Sequence, residues 1–139
     1  MKLHHRLTAR SFTLGVALLL LGSTIWAADL RLSGDSEVPP VKTMASGNST
    51  IAVAADGSVV GSVKTTGMAG VAAHIHMGAT GKNGPVIIPL TKGADGEWSV
   101  PPGAKLTSEQ MKSFKSGELY VNVHSEANKG GEIRAQLTP

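Results

Sequence analysis

The chain has 139 residues, with 13 Lys and Arg against 10 Asp and Glu, for a formal net charge of +3. Lys2, Arg6 and Arg10 stand ahead of every acidic residue, so from Ala28 onward ten basic residues face ten acidic ones. That balance excludes net attraction to nucleic acid or to an anionic membrane as a driving force, and the lack of cysteine excludes thiol catalysis, thiolate metal sites and disulfides.

The first 27 residues have the three parts of a secretory signal peptide. A basic stretch, Met1 to Arg10, leads into the apolar run Ser11 to Leu21, and Ile25-Trp26-Ala27 ends in a small residue. The run is far shorter than the ~20 residues a spanning helix needs. Cleavage is expected after Ala27. With no paired arginines and no cysteine to carry a lipid, the expectation is Sec-type export and release to the periplasm or beyond, with no membrane attachment after cleavage.

Residues 28–139 suffice for one domain. Fifteen of the 17 glycines fall here, and the aromatics are only Trp98, Phe114 and Tyr120, too few for a stacking platform on single-stranded nucleic acid. Short Val/Ile/Thr runs punctuated by Gly, Pro, Asn and Asp indicate an all-β domain. Leu30-Arg31-Leu32 alternates, Gly34-Asp35-Ser36 breaks the chain, and Val38-Pro39-Pro40-Val41 is extended. Strands are predicted over Ser49 to Ala55 and Ser58 to Thr66, joined by the hairpin signal Asp56-Gly57. Further strands are predicted over Val71 to Met77, Val86 to Leu90 and Glu97 to Val100. Thr107 followed three residues later by Gln110 has capping-box spacing and predicts one short helix, 108–115, stopped by Gly117. Leu119 to Ser125 and Glu132 to Leu137 complete the set, the last with Ile133, Ala135 and Leu137 inward. Seven or eight strands at this spacing argue a sandwich or closed barrel.

His4 and His5 belong to the signal, which leaves three histidines: His74, His76 and His124. Residues two apart on a strand project from one face, ~6.5–7 Å apart at Cα, so His74 and His76 can converge on one ion while Ile75 points into the opposite layer. His124 follows Val121 and Val123 inward, Asn122 and His124 outward, on another strand. If the two strands are neighbours, three imidazoles meet, enough for copper or zinc with a fourth position open. Alternatively the same histidines hold the loop from Gly78 to Pro85 through backbone carbonyls, with no metal. Glu126 and Glu132 are acidic neighbours, Glu132 being the candidate to orient an imidazole from behind. Met77 reads as core, and Met68 as a conceivable Cu(I) contact. Ser125 lacks the partners of a nucleophilic triad, and Gly78, Gly81 and Gly84 precede no helix, so they are no phosphate loop. Asn48-Ser49-Thr50 is a glycosylation sequon, relevant only in a eukaryotic secretory pathway.

Leu32-Ser33-Gly34, Glu37-Val38-Pro39-Pro40-Val41, Ala73-His74-Ile75-His76, Gly84-Pro85-Val86, Leu106-Thr107, the run from Gly117 to His124 and the run from Gly130 to Leu137 together resemble the CHRD domain, the module named after chordin. The similarity runs from about Leu30 to Leu137, with Ala135 standing where the family usually has Gly. It implies an all-β, immunoglobulin-like or superoxide-dismutase-like antiparallel sandwich or barrel in exported proteins, and no settled biochemical role. The His-Ile-His strand is also similar to the copper strand of Cu,Zn superoxide dismutase. That enzyme needs a fourth copper His, a bridging imidazole, further zinc ligands and a disulfide, which three His and no Cys cannot build. The leading expectation is therefore a non-enzymatic exported binding module with its patch at His74, His76 and His124. The alternatives are a mononuclear copper or zinc protein in metal handling or redox chemistry, and an adhesive module that holds a protein partner.

Overall fold

A computed structural model describes residues 29–139 and the backbone of Ile25–Ala27. The remainder of the segment read as an export signal lies outside the described residues. In chain order the elements are β1 (Ile25–Ala27), β2 (Leu30–Ser33), a 3-10 turn (Gly34–Ser36), β3 (Ser46–Ser49), β4 (Ala52–Ala54), β5 (Val59–Val60) and β6 (Ser62–Thr66). There follow β7 (Gly70–Met77), β8 (Val86–Pro89), β9 (Thr91–Lys92), β10 (Glu97–Ser99), α1 (Ser108–Lys115), β11 (Leu119–Ser125) and β12 (Ile133–Leu137).

Nine strands form one antiparallel sheet in the order β8-β7-β11-β12-β2-β3-β6-β10-β9. Its two end strands, β8 and β9, are consecutive in sequence. Leu90 turns the corner between them, its N–H donating to Ala73 O at 2.9 Å. One bent segment thus serves both edges, and the sheet becomes a nearly closed barrel, leaving little unpaired edge. The all-β expectation holds.

Two predicted strands are broken. The stretch from Ser49 to Ala55 divides into β3 and β4, and that from Ser58 to Thr66 into β5 and β6. The break falls at Gly61, whose φ is +115° and whose missing Cβ would collide with the backbone of Thr50 and Ile51. The hairpin leaves the nine-stranded sheet there while Ile51, Val53 and Val59 stay in the apolar core, and β4 pairs with β5 on one side and β1 on the other. The predicted helix has its expected bounds. Thr107 Oγ1 accepts from Gln110 N at 3.2 Å, the Gln110 side chain accepts from Thr107 N at 2.9 Å, and Gly117 at φ +71° ends the helix. Phe114 anchors it in the apolar core with Leu32, Val63, Ile75, Leu119, Val121, Val123 and Ile133.

The face of β7, β11 and β12 turned away from that core, read from the sequence only as outward, is also buried. Tyr120, Asn122 and Arg134 are 1–2% exposed and His124 9%. Loop segment 78–85 lies over them, and its carbonyls bind the side chains beneath. Arg134 donates to Lys82 O at 2.9 Å and Ala79 O at 3.1 Å, and Gln136 to Gly78 O at 2.7 Å. The segment following β2 joins this cover, where Asn83 Nδ2 donates to Val38 O at 2.8 Å. The domain therefore has two interiors, an apolar one inside the barrel and a polar one between the sheet and these loops. Strand alternation reports which face a side chain occupies, but not whether a loop covers that face.

Candidate metal centre

The site rests on β7 and β11, which pair antiparallel with His74 opposite Asn122, His76 opposite Tyr120 and Ala72 opposite His124. The strands are neighbours, so the three predicted histidines share one face of adjacent strands. One ring nitrogen from each lies within 4.8 Å of the other two. Two nitrogens on one ion at ~2.0–2.1 Å stand ~3.3 Å apart in a tetrahedron. Closing onto an ion therefore needs only a small rotation of the rings, and His74, half-buried, has the room for it.

Each buried imidazole is oriented from behind. His124 Nδ1–H donates to Lys129 O at 2.8 Å, and His76 Nδ1–H to Gly84 O at 2.9 Å. Both bonds place the proton on Nδ1 and leave the Nε2 lone pair facing the cluster. His74 Nδ1 lies 3.0 Å from His124 Nε2, so a hydrogen bond occupies that pair of atoms. His76 Nε2 is different: it is buried and has no hydrogen-bond partner.

The rings are also fixed by stacking. His76 lies flat on Tyr120, with centroids 4.6 Å apart and planes within 3°, and the Arg134 guanidinium covers the other face of Tyr120 at 3.4 Å. Gly84 N donates to Tyr120 Oη at 3.1 Å, so one glycine pins both members of the stack. A Cβ at Gly84 would run into Met77 O, so only glycine passes there. Burial, reinforced by His124 and His76, holds His74 below its ordinary value. Burial also lowers His76, assisted by the charges on His124 and Arg134 against the opposing influence of the bond to Gly84 and of the nearby Asn122 amide. Neutral imidazoles at neutral pH are the form that ligates metal.

The acceptors behind the imidazoles are the carbonyls of Gly84 and Lys129, not the Glu132 carboxylate. Glu132 accepts from Thr43 Oγ1 at 2.6 Å. Against the upward push of burial, bonds from Ser125, Thr43 and Asn128 hold its carboxyl below the ordinary value. Glu126 is an exposed partner of Lys129 at 3.9 Å. Met68 and Met77 pack against the apolar core.

Sequence reasoning missed the polar residues around the histidines: Glu37, Tyr120, Asn122 and Arg134. A signal for three of them was present, since every second residue from Tyr120 to His124 and from Glu132 to Gln136 is polar. Glu37 comes from a loop and carried no such pattern. It is 4% exposed, and burial raises its carboxyl to about 7 against the opposing influence of Asn122 and Arg134.

Fold and site together define a small antiparallel β-barrel protein with a histidine cluster set in a second, polar interior. A family model described as the CHRD domain matches residues 29–137. The chain belongs to the CHRD domain family. No curated protein and no solved structure matches it.

Proposed function

We propose that this chain is an exported, non-enzymatic metal-binding module that takes one copper ion at His74, His76 and His124 and serves metal handling outside the cytoplasm. The observation that carries the reading is His76 Nε2, a buried acceptor with no partner whose ring is already anchored through Nδ1. A purely structural histidine in a protein interior satisfies both nitrogens, because an unpaired buried polar atom costs ~1–3 kcal/mol. A cation between the three rings removes that cost. Imidazole donors without thiolate suit Cu(II) and Zn(II), and Cu(II) binds such a set more tightly of the two. When bound, the ion supplies Lewis acidity and, for copper, a one-electron couple. The protein's part is to hold neutral imidazoles in a largely buried place, with His74 toward the solvent.

The second reading, favoured by the His76–Gly84 and His124–Lys129 bonds, makes the histidines clamps for their loops, with a protein as the partner. A titration of Cu(II) and Zn(II) into the purified exported protein separates the two. One equivalent of tight binding, lost in His76→Ala and in His124→Ala, is the expected result. No binding by the wild type, or the same binding in both variants, would overturn the metal reading.

A further inference from the structure

Trp98 stands on β10, paired with Val63 on one side and Lys92 on the other, with its ring in the apolar core and 3% of its surface exposed. A buried indole N–H ordinarily donates to an oxygen. Here Nε1 is buried and has no hydrogen-bond partner. It borders Gly70, the first residue of β7: a Cβ built there would lie 3.3 Å from Nε1, 3.0 Å from Trp98 Cζ2 and 3.1 Å from Val123 Cγ1.

Gly70 and Trp98 are also walls of a cavity of about 350 Å³, together with Met68, Lys92 and Asp95. That volume lies in the range of small-molecule sites. Lys92 Nζ donates to Gly70 O at 3.0 Å and stands 5.6 Å from the centre of the Trp98 ring. An ammonium with further protons to donate and an unmatched N–H therefore converge around one glycine. Asp95 brings a negative charge to the same cavity, and among the described residues neither Lys92 nor Asp95 is in an ion pair. Met68, partly buried and unbranched, is the adaptable part of the wall. Val123 and the Trp98 ring belong to the apolar core, so this place lies across the sheet from the histidines.

We propose that this cavity binds a free amino acid with an apolar side chain. Its carboxylate accepts from Trp98 Nε1 and Lys92 Nζ, and its α-ammonium faces Asp95. Its side chain lies against the indole ring and Met68, which turns aside to admit it. A simple carboxylate leaves Asp95 unopposed, and a simple amine leaves the indole N–H unmatched. The zwitterion answers all three groups, and the charge-assisted bonds to its carboxylate are the strong kind. This stands independently of the metal reading.

The test is a calorimetric titration of methionine into the purified exported protein. A chelator is present, because free amino acids also ligate copper. Trp98 is the only tryptophan from Ala28 onward, so its fluorescence gives a second readout. N-acetylmethionine lacks the ammonium, and methioninamide lacks the carboxylate. The expected result is saturable binding of one methionine with a change in indole emission, at least ~10-fold weaker for each derivative. Trp98→Phe keeps a ring and removes the N–H, and is expected to weaken methionine by at least ~10-fold. Asp95→Asn, at an exposed position, is expected to abolish the preference for methionine over N-acetylmethionine. No binding of methionine up to its solubility limit overturns the proposal and leaves a water as the partner of Nε1. Affinity unchanged in Trp98→Phe, or equal for methionine and either derivative, overturns it as well. If circular dichroism finds Trp98→Phe unfolded, Asp95→Asn decides: an unaltered preference for methionine there overturns the assignment.

Discussion

The ring of His76 lies parallel to that of Tyr120 with centroids 4.6 Å apart, and the far face of Tyr120 carries the guanidinium of Arg134. A fixed cation is thus two layers from the His76 imidazole and joined to it by an aromatic ring. The stack holds the imidazole rigid, and the neighbouring positive charge opposes its protonation.

Ion binding should stabilise the fold, because only the folded chain brings β7 and β11 together. With free Cu(II) at 100 times its dissociation constant, the expected gain is about 2.7 kcal/mol. Differential scanning calorimetry with and without Cu(II) measures it. The shift should vanish in His76→Ala and in His124→Ala. A copper-induced rise in Tm that survives both substitutions would place the ion elsewhere.

Glu37 makes stability depend on pH in an unusual direction. Its folded value, about 7, lies above the ordinary 4.5 because of burial, so the folded chain keeps a proton that the unfolded chain has released. Its contribution is fully present below pH 4.5 and is lost as pH rises through 7, by about 3 kcal/mol in all. Lowered His74 and His76 act oppositely, contributing stability above the ordinary histidine value of 6.5 and losing it as pH falls below. Comparison with Glu37→Gln isolates the carboxyl group. Urea denaturation should find the variant gaining on wild type between pH 5 and pH 8, and an equal difference at both values would count against a buried neutral acid.

Arg134 is the fastener of the loop over the site. It binds two loop carbonyls, Lys82 O and Ala79 O, as well as Gln136 Oε1 at 3.1 Å. Replacing it with alanine leaves these acceptors without their donor, and each buried one costs ~1–3 kcal/mol. We expect Arg134→Ala to lose roughly 3 kcal/mol in urea denaturation, and Arg134→Lys somewhat less, because an ammonium cannot reproduce the planar fork. Hydrogen exchange should rise first across residues 78–85. Unchanged protection there would show that other contacts hold the loop.

Gly131 is required by the space between Glu37 and Asn122. Its φ of +127° adds a backbone cost for any L side chain. Gly131→Ala should lose ~2–4 kcal/mol in urea denaturation through the combined strain and forced separation of the two side chains. The neighbouring Gly130 has nothing within 4 Å of a built Cβ, so Gly130→Ala serves as the mild control. Equal effects from the two substitutions would contradict the steric account.

The proposed cleavage has a structural consequence of its own. A cut after Ala27 removes β1, whose backbone pairs with Ala52–Ala54, and leaves β4 as an edge. Mass spectrometry of the exported protein should find Ala28 at its amino terminus. Protein that retains Ile25–Ala27 would place the cut further upstream and keep that edge covered.

Much was legible without coordinates because it depends on local chemistry. Alternation in 119–125 and 133–137 assigned faces, the Thr107–Gln110 capping pair and Gly117 bounded the helix, and His-Ile-His set two imidazoles on one side of one strand. What sequence could not state was which strands adjoin, since backbone hydrogen bonds between strands carry no residue identity. Only the pairing of β7 with β11 brings His124 to the other two. The same limit hid the second interior. Asn122 and Arg134 look like solvent-facing residues until a loop 52 residues away in sequence supplies Lys82 O to Arg134 and roofs the face. The opening charge of +3 was decided by the sequence alone: its surplus lies in Lys2, Arg6 and Arg10, while the remainder of the chain is balanced. Burial was decided by tertiary structure, and burial determines whether a histidine is a surface group or a neutral, oriented donor.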